Sequence, residues 1–184
     1  MNFNIYTFCK FHPVCILPFT KYKYLINNLF KLRTEIYSIL INDGSLTKSI
    51  EYLTNDNVNL QKLQKYNCKL QLSKRKIRCV WIETSLYCQL TFARSLWITI
   101  YLQNTSKLTK ELWNFPIGKY FIKNRSNISK VIHELYYGYN ELIESTSIQK
   151  IPIWGRKYTL YYKNEYYITI QELFSYKIIK YLIK

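Results

Sequence analysis

Residues 153–175 read IWGRKYTLYYKNEYYITIQELFS, and two period-two runs within them decide the fold. Tyr158, Leu160 and Tyr162 alternate with Lys157, Thr159 and Tyr161 before a turn at Asn164, and Tyr166, Ile168 and Ile170 alternate with Tyr167, Thr169 and Gln171 after it. Strand side chains point alternately to two faces, so two such runs joined by a short turn predict a β-hairpin. Glu172 follows directly on the second run, flanked by Leu173 and Phe174. It is either exposed at a strand end or held inside, and a buried carboxylate must be hydrogen-bonded, paired or protonated.

Further strands are expected on the N-terminal side of this hairpin. Residues 128–137 alternate Ile128, Lys130, Ile132 and Glu134, which predicts a strand, with an amphipathic helix as the alternative. Residues 138–150 read as a long connection, residues 108–113 as a short helix or turn, and the segment opened by Pro116, Ile117 and Gly118 as a strand ending near Lys123. The run LYCQLTFARSLWITIYL at 86–102 is a long strand with Arg94 inside it. In residues 77–82, Ile77, Cys79 and Trp81 take one face, and Arg78, Val80 and Ile82 the other. An arginine sharing a face with two β-branched residues is either paired or waiting for an anion. Residues 58–72 read as a strand with outward lysines.

Two helices come first. Leu25, Leu29, Leu32, Ile36, Ile39 and Leu40 recur at three- and four-residue steps through residues 22–41, and Leu46, Ile50 and Leu53 line a second, shorter helix. Gly44 supplies a residue able to take positive φ between them, and Asp43 or Ser45 can cap the second. Lys48 is the one basic residue of that second helix, which argues for a core-packing corner over a DNA-reading one. Residues 1–21, with Pro13 and Pro18, are read as an irregular N-terminal arm, and 22–184 as a single domain. The expected class is α+β: a mainly antiparallel sheet of about six strands with helices packed on one face.

The chain has 184 residues, 48% hydrophobic and 17% aromatic, a composition that folds rather than stays disordered. Its net charge of +16 would point to nucleic acid or an anionic membrane surface. That signal is discounted. Ile, Lys, Asn, Tyr and Phe abound while Gly and Pro occur four times each and Ala93 is the single alanine, the imprint of AT-rich codons in an organelle or endosymbiont genome. The six arginines therefore carry more information than the lysines, and Arg78, Arg94 and Arg156 lie inside patterned segments. The cysteines, Cys9, Cys15, Cys68, Cys79 and Cys88, form no CxxC pair, and His12 and His133 fall in no metal or catalytic spacing, so a reducing compartment and no metal are expected. No secretory signal or membrane-spanning run stands out.

Four motifs occur in order: GSLT at Gly44 to Thr47, an arginine in a strand at Arg78, PIG at Pro116 to Gly118, and WGR followed by a strand and ELF from Trp154 to Phe174. Together they resemble the chorismate lyase (chorismate pyruvate-lyase) family, in particular the reading frame of that family carried by some algal plastid genomes. The resemblance runs over residues 32–177. It implies a cofactor-free enzyme that splits chorismate into 4-hydroxybenzoate and pyruvate, on a six-stranded antiparallel sheet with a buried site beneath helical flaps. By motif match, Arg78 would hold the ring carboxylate through its guanidinium fork. Leu46 and Ile117 would line the ligand with apolar walls and backbone N–H groups.

Glu172 would be the catalytic residue at the departing ether oxygen, either as a proton donor or as the group that orients the 4-oxygen. Arg156 and Arg94 also match family arginines and are read as contacting a substrate carboxylate or lying just behind it, with a structural salt bridge as the open alternative. The implied partner is a small aromatic acid, with no nucleic acid or membrane, on a monomer of the plastid stroma, encoded in the organelle. A binding protein that holds such an acid without reacting is the competing expectation, and a nucleic-acid binder argued from charge is the third.

Overall fold

The computed structural model describes residues 11–21, 34–70, 73–86, 88–100, 115–140, 151–162 and 166–182. Among them, in chain order, stand β1 (Phe11–Pro18), α1 (Thr34–Leu40), α2 (Leu46–Thr54), β2 (Val58–Leu70), β3 (Ser73–Thr84), β4 (Gln89–Ile100), α3 (Ile117–Lys123), β5 (Ile128–Asn140), β6 (Ile153–Tyr162), β7 (Tyr166–Phe174) and α4 (Lys177–Leu182). A single 3-10 turn, Phe19–Lys21, follows β1. The seven strands form one sheet in the order β1-β5-β6-β7-β4-β3-β2, every neighbouring pair antiparallel.

The hairpin is β6 and β7, with Trp154 opposite Phe174 and Tyr162 opposite Tyr166, at the middle of the sheet. Its two periods separate as the alternation requires. Tyr158, Leu160, Ile168 and Ile170 join the helices in the larger core, while Leu173 on the opposite phase joins Phe11, Cys79, Trp81, Phe92, Tyr136 and Ile153 on the other face. All four helices contribute to the first of these cores, through residues such as Leu40, Ile50, Phe121 and Ile178, so they cover one face as expected.

Three expectations are corrected. The sheet has seven strands where about six were expected, and the extra one is β1, in the stretch read as irregular. It is an edge strand, with a register shift between Pro13 and Cys15, and an edge strand tolerates proline because one side of its backbone owes no ladder bond. Gly138 allows the close approach: a Cβ there would stand 2.8 Å from the Pro13 Cα. Strand β5 accordingly continues to Asn140, past the expected start of the connection, whose remainder, 141–150, lies outside the described residues.

Residues 117–123 are a helix and not a strand, burying Ile117 and Phe121 four residues apart. Gly44 has no positive φ. Its backbone N–H donates to Asn42 Oδ1 at 2.6 Å, so the side chain of Asn42 shapes the corner, and Ser45 caps α2 by accepting from the Lys48 N–H. The expected turn at 108–113 and residues 22–33 of the first helix lie outside the described residues.

Candidate active site

Between the helix-covered face of the sheet and the N-terminal ends of α2 and α3 lies a cavity of about 240 Å³. An apolar cavity of about 150 Å³ already admits benzene, so there is room for a substituted six-membered ring. Ser45 to Thr47 and Pro116 to Gly118 form one wall. The sheet supplies the other, through Arg78 and Val80 on β3, Ala93 and Ser95 on β4, Ile170 and Glu172 on β7, Tyr158 on β6 and Lys130 on β5.

The two helix ends meet because Gly118 carries no side chain: a Cβ there would come within 2.8 Å of the Ser45 Cβ. Lys119 then ion-pairs with Glu51 across the two helices.

Arg78 is 3% exposed. Its Nη1 donates to the Phe115 carbonyl at 3.2 Å, and its guanidinium carbon stands 5.4 Å from the centre of the Trp97 ring. Burial lowers the guanidinium to about 10, partly opposed by the Tyr158 oxygen, so it stays cationic at neutral pH. Ser95, which lies opposite Arg78, donates to its carbonyl and accepts from the Trp97 indole N–H at 2.8 Å, fixing this end of the wall.

Glu172 is in phase with Ile168 and Ile170 and is 4% exposed. One carboxylate oxygen accepts from Arg156 Nε at 2.7 Å and the other from the Tyr158 hydroxyl at 2.8 Å. Arg156, 0% exposed, also sends Nη1 to the carbonyls of Ile39, Leu40 and Asn42 at 2.8, 3.2 and 3.0 Å, closing the C-terminal end of α1. Burial alone would lower Arg156; the charge of Glu172, the Tyr158 oxygen and the Glu172 hydrogen bond outweigh it, and the net shift is upward. The Tyr158 hydroxyl is pushed well above its ordinary value by burial and by Glu172, so it keeps its proton.

Lys130 also lines the cavity. Its ammonium donates to the Asn42 carbonyl at 2.5 Å and sits 4.3 Å from the centre of the Tyr158 ring. Burial and the Arg156 charge lower it to about 8, against the pull of Glu172 and Asp43.

The structure therefore brings Arg78, Leu46, Ile117 and Glu172 around one cavity. It does not bring the other two arginines there. Arg156 stands behind Glu172, outside the lining. Arg94 falls between Ala93 and Ser95, which face the cavity, and pairs in register with Cys79 and Gln171, so it belongs to the other face of the sheet. Tyr158 and Lys130 were not singled out from the sequence. A signal existed for both: Lys130 is in phase with Ile128 and Ile132, and Tyr158 lies two residues from Arg156 on the same face of its strand.

Among the described residues no group of three or more His, Cys, Asp or Glu side chains is placed to hold a metal ion, and no helix is long and apolar enough to cross a membrane.

Comparison with known families gives a match over residues 40–182 to the model described as chorismate pyruvate-lyase Rv2949c-like. The chain belongs to that family. The matched span contains every cavity-lining residue, from Asp43 to Glu172, and leaves out β1. Three relatives are each called uncharacterized protein ycf21. That of Antithamnion sp. is 33% identical over 97% of this chain and 98% of its own, and that of Porphyra purpurea 34% identical over 74% and 78%. That of Pyropia yezoensis is 31% identical over 95% and 96%. These are ycf proteins encoded in algal plastid genomes.

Proposed function

We propose that the chain is a chorismate lyase of the plastid stroma, eliminating pyruvate from chorismate to give 4-hydroxybenzoate. The observation that carries this reading is the convergence of Arg78 and Glu172 on one largely apolar cavity, in a chain of the chorismate pyruvate-lyase Rv2949c-like family.

In the reaction the ether C–O bond breaks with its electron pair going to the departing oxygen. The ring loses one proton and becomes aromatic, and the enolpyruvyl group takes up one proton to leave as pyruvate. Aromatisation drives the reaction downhill, so the protein supplies chiefly position and a response to charge on oxygen. Arg78 holds the ring carboxylate as a guanidinium fork. Leu46 and Ile117 close over the ring. Glu172, both of whose oxygens already accept hydrogen bonds, serves better as an acceptor that orients the ring hydroxyl than as a proton donor. Arg156 and Tyr158 hold that carboxylate in place.

The same engagement of Glu172 favours a second reading, an aromatic-acid binding protein that does not react. A stoichiometric incubation of the protein with chorismate separates the two. Formation of both products, slowed about 100-fold or more in Glu172→Gln, is the expected outcome for a group acting at the reacting atoms. Recovery of intact chorismate bound to the wild type would overturn the lyase reading and leave the binder. The family and the cavity support a small-molecule ligand over nucleic acid, and we take the monomer as sufficient because the cavity is lined from one chain.

A further inference from the structure

Arg78 and Lys130 come from strands four places apart in the sheet, β3 and β5, separated by β4, β7 and β6. Four strand spacings are ~19 Å between backbones, so the two longest cationic side chains of the wall enter the cavity from opposite sides. Glu172 and Tyr158 stand between them on β7 and β6. Most of the remaining sheet wall is apolar or small: Val80, Ala93, Leu160 and Ile170.

We propose that Lys130 receives a second carboxylate, so that the cavity selects a cyclic dianion carrying one carboxylate on the ring and another on an ether substituent. This rests on the lyase reading for the orientation of the ligand, with the ring carboxylate on Arg78.

Two features of Lys130 fit that task. It keeps unused donors, because an ammonium has three N–H groups and the Asn42 carbonyl occupies one. Among the described residues no carboxylate lies within ion-pair distance of it, Glu172 and Asp43 acting on it only from farther off, so a bound carboxylate could pair with it directly. The burial that lowers its proton affinity is also what a bound carboxylate would offset. The arrangement has a consequence for turnover. The substrate engages both cations; once the ether bond is broken each product carries one carboxylate and engages one. Release is thereby favoured over retention of the ring product.

Two stable acids test this without chemistry: 4-(carboxymethoxy)benzoate, a dianion with an ether-linked carboxylate, and 4-methoxybenzoate, the matching monoanion. Calorimetric titration of the full chain and of Lys130→Met and Lys130→Arg is the measurement. The expected result is that Lys130→Met weakens the dianion by ~10- to 100-fold, the range for a hydrogen bond to a charged group, and the monoanion by less than about threefold. Lys130→Arg should restore much of the dianion's affinity, and retained monoanion binding shows that the cavity of the variant is intact. Equal loss for both acids, or no loss for either, would overturn the role given to Lys130 while leaving the lyase reading standing. A wild-type chain that binds neither acid would overturn both.

Discussion

Arg156 and Arg78 are both arginines of the sheet, 0% and 3% exposed, each stacked on an aromatic ring, yet they do different work. Arg156 is enclosed by a network: a carboxylate at 2.7 Å and three carbonyls at the end of a helix. The net effect of its surroundings is to hold its proton more tightly. Arg78 stands in a cavity wall, where burial pulls it down to about 10. The lesson is that burial of a cation does not by itself mark a ligand site; what distinguishes the two is where each stands, Arg156 behind Glu172 and outside the lining, Arg78 in the wall of the cavity.

The sharpest way to break the contrast is to remove one member of that network. Arg156→Met strands the Glu172 carboxylate, and loss of one partner of a buried pair costs roughly 3–5 kcal/mol. Urea unfolding should show that loss. The double variant Arg156→Met, Glu172→Leu should recover much of it, since replacing a whole buried pair by apolar groups is often neutral. Recovery that fails to appear would mean that the three helix-end carbonyls, and not the ion pair, are what Arg156 serves.

Arg78→Met should do the reverse. Removing a cation that burial disfavours leaves stability within about 1 kcal/mol of the wild type, whereas 4-hydroxybenzoate affinity falls by ~2 kcal/mol, about thirtyfold. Titration alongside the same urea experiment checks both halves. Unchanged affinity would remove Arg78 from the site.

Both arginines were visible in the sequence as arginines in phase with strand patterns, but their difference was not, because the deciding partners lie far along the chain: Ile39 to Asn42 for one, Phe115 for the other. The phase of Glu172 was legible from Ile168 and Ile170, but the sequence left it either exposed at a strand end or held inside, because the groups that receive it, Arg156 and Tyr158, stand on the neighbouring strand. Arg94 was read by motif match, with a structural salt bridge as the open alternative, and its place on the other face of the sheet was not legible because its cavity-lining neighbours Ala93 and Ser95 are too small to mark the inward face of β4. Strand β1 was hidden by Pro13 and Pro18, which exclude a central strand but not an edge. Residues 117–123 satisfy a two-residue and a four-residue period equally well over so short a run, and the helix wins because Ile117 and Phe121 both reach the core. Lys130 was passed over because a lysine in a strand is usually a solvated one.

Gly118→Ala tests the wall facing both cations. The added methyl overlaps Ser45, which caps α2, and the backbone of either helix must move. Overpacking of this kind costs about 1–3 kcal/mol. The comparison predicts that 4-hydroxybenzoate affinity falls with it, because Leu46 and Ile117 flank the overlap, while the Arg156 network below is undisturbed. A variant that loses stability but binds normally would place the ligand away from this wall.

The smallest effect is the pH dependence contributed by Lys130, a third cation on this face, whose proton affinity burial lowers as it lowers that of Arg78. Its proton affinity is lowered, first by burial and then by Arg156, to about 8 in the folded chain, against 10.5 when exposed on unfolding. Below about pH 8 both states carry the proton, and the folded state bears the whole cost of the buried charge. Between about 8 and 10.5 the unfolded chain still binds a proton that the folded chain has released, so this residue's contribution to stability rises with pH. Lys130→Met has no such group. Its stability relative to wild type should therefore be greatest near neutral pH and should decline through that window, as read from paired urea midpoints; the difference cancels the other buried groups, Arg78 and Tyr158 among them. A difference that does not change with pH would show that the ammonium is solvated through the cavity mouth. Saturating 4-(carboxymethoxy)benzoate should move the window upward, because a carboxylate beside the amine favours the proton, and 4-methoxybenzoate should leave it in place. The ligand would then be supplying to Lys130 what Glu172 supplies to Arg156.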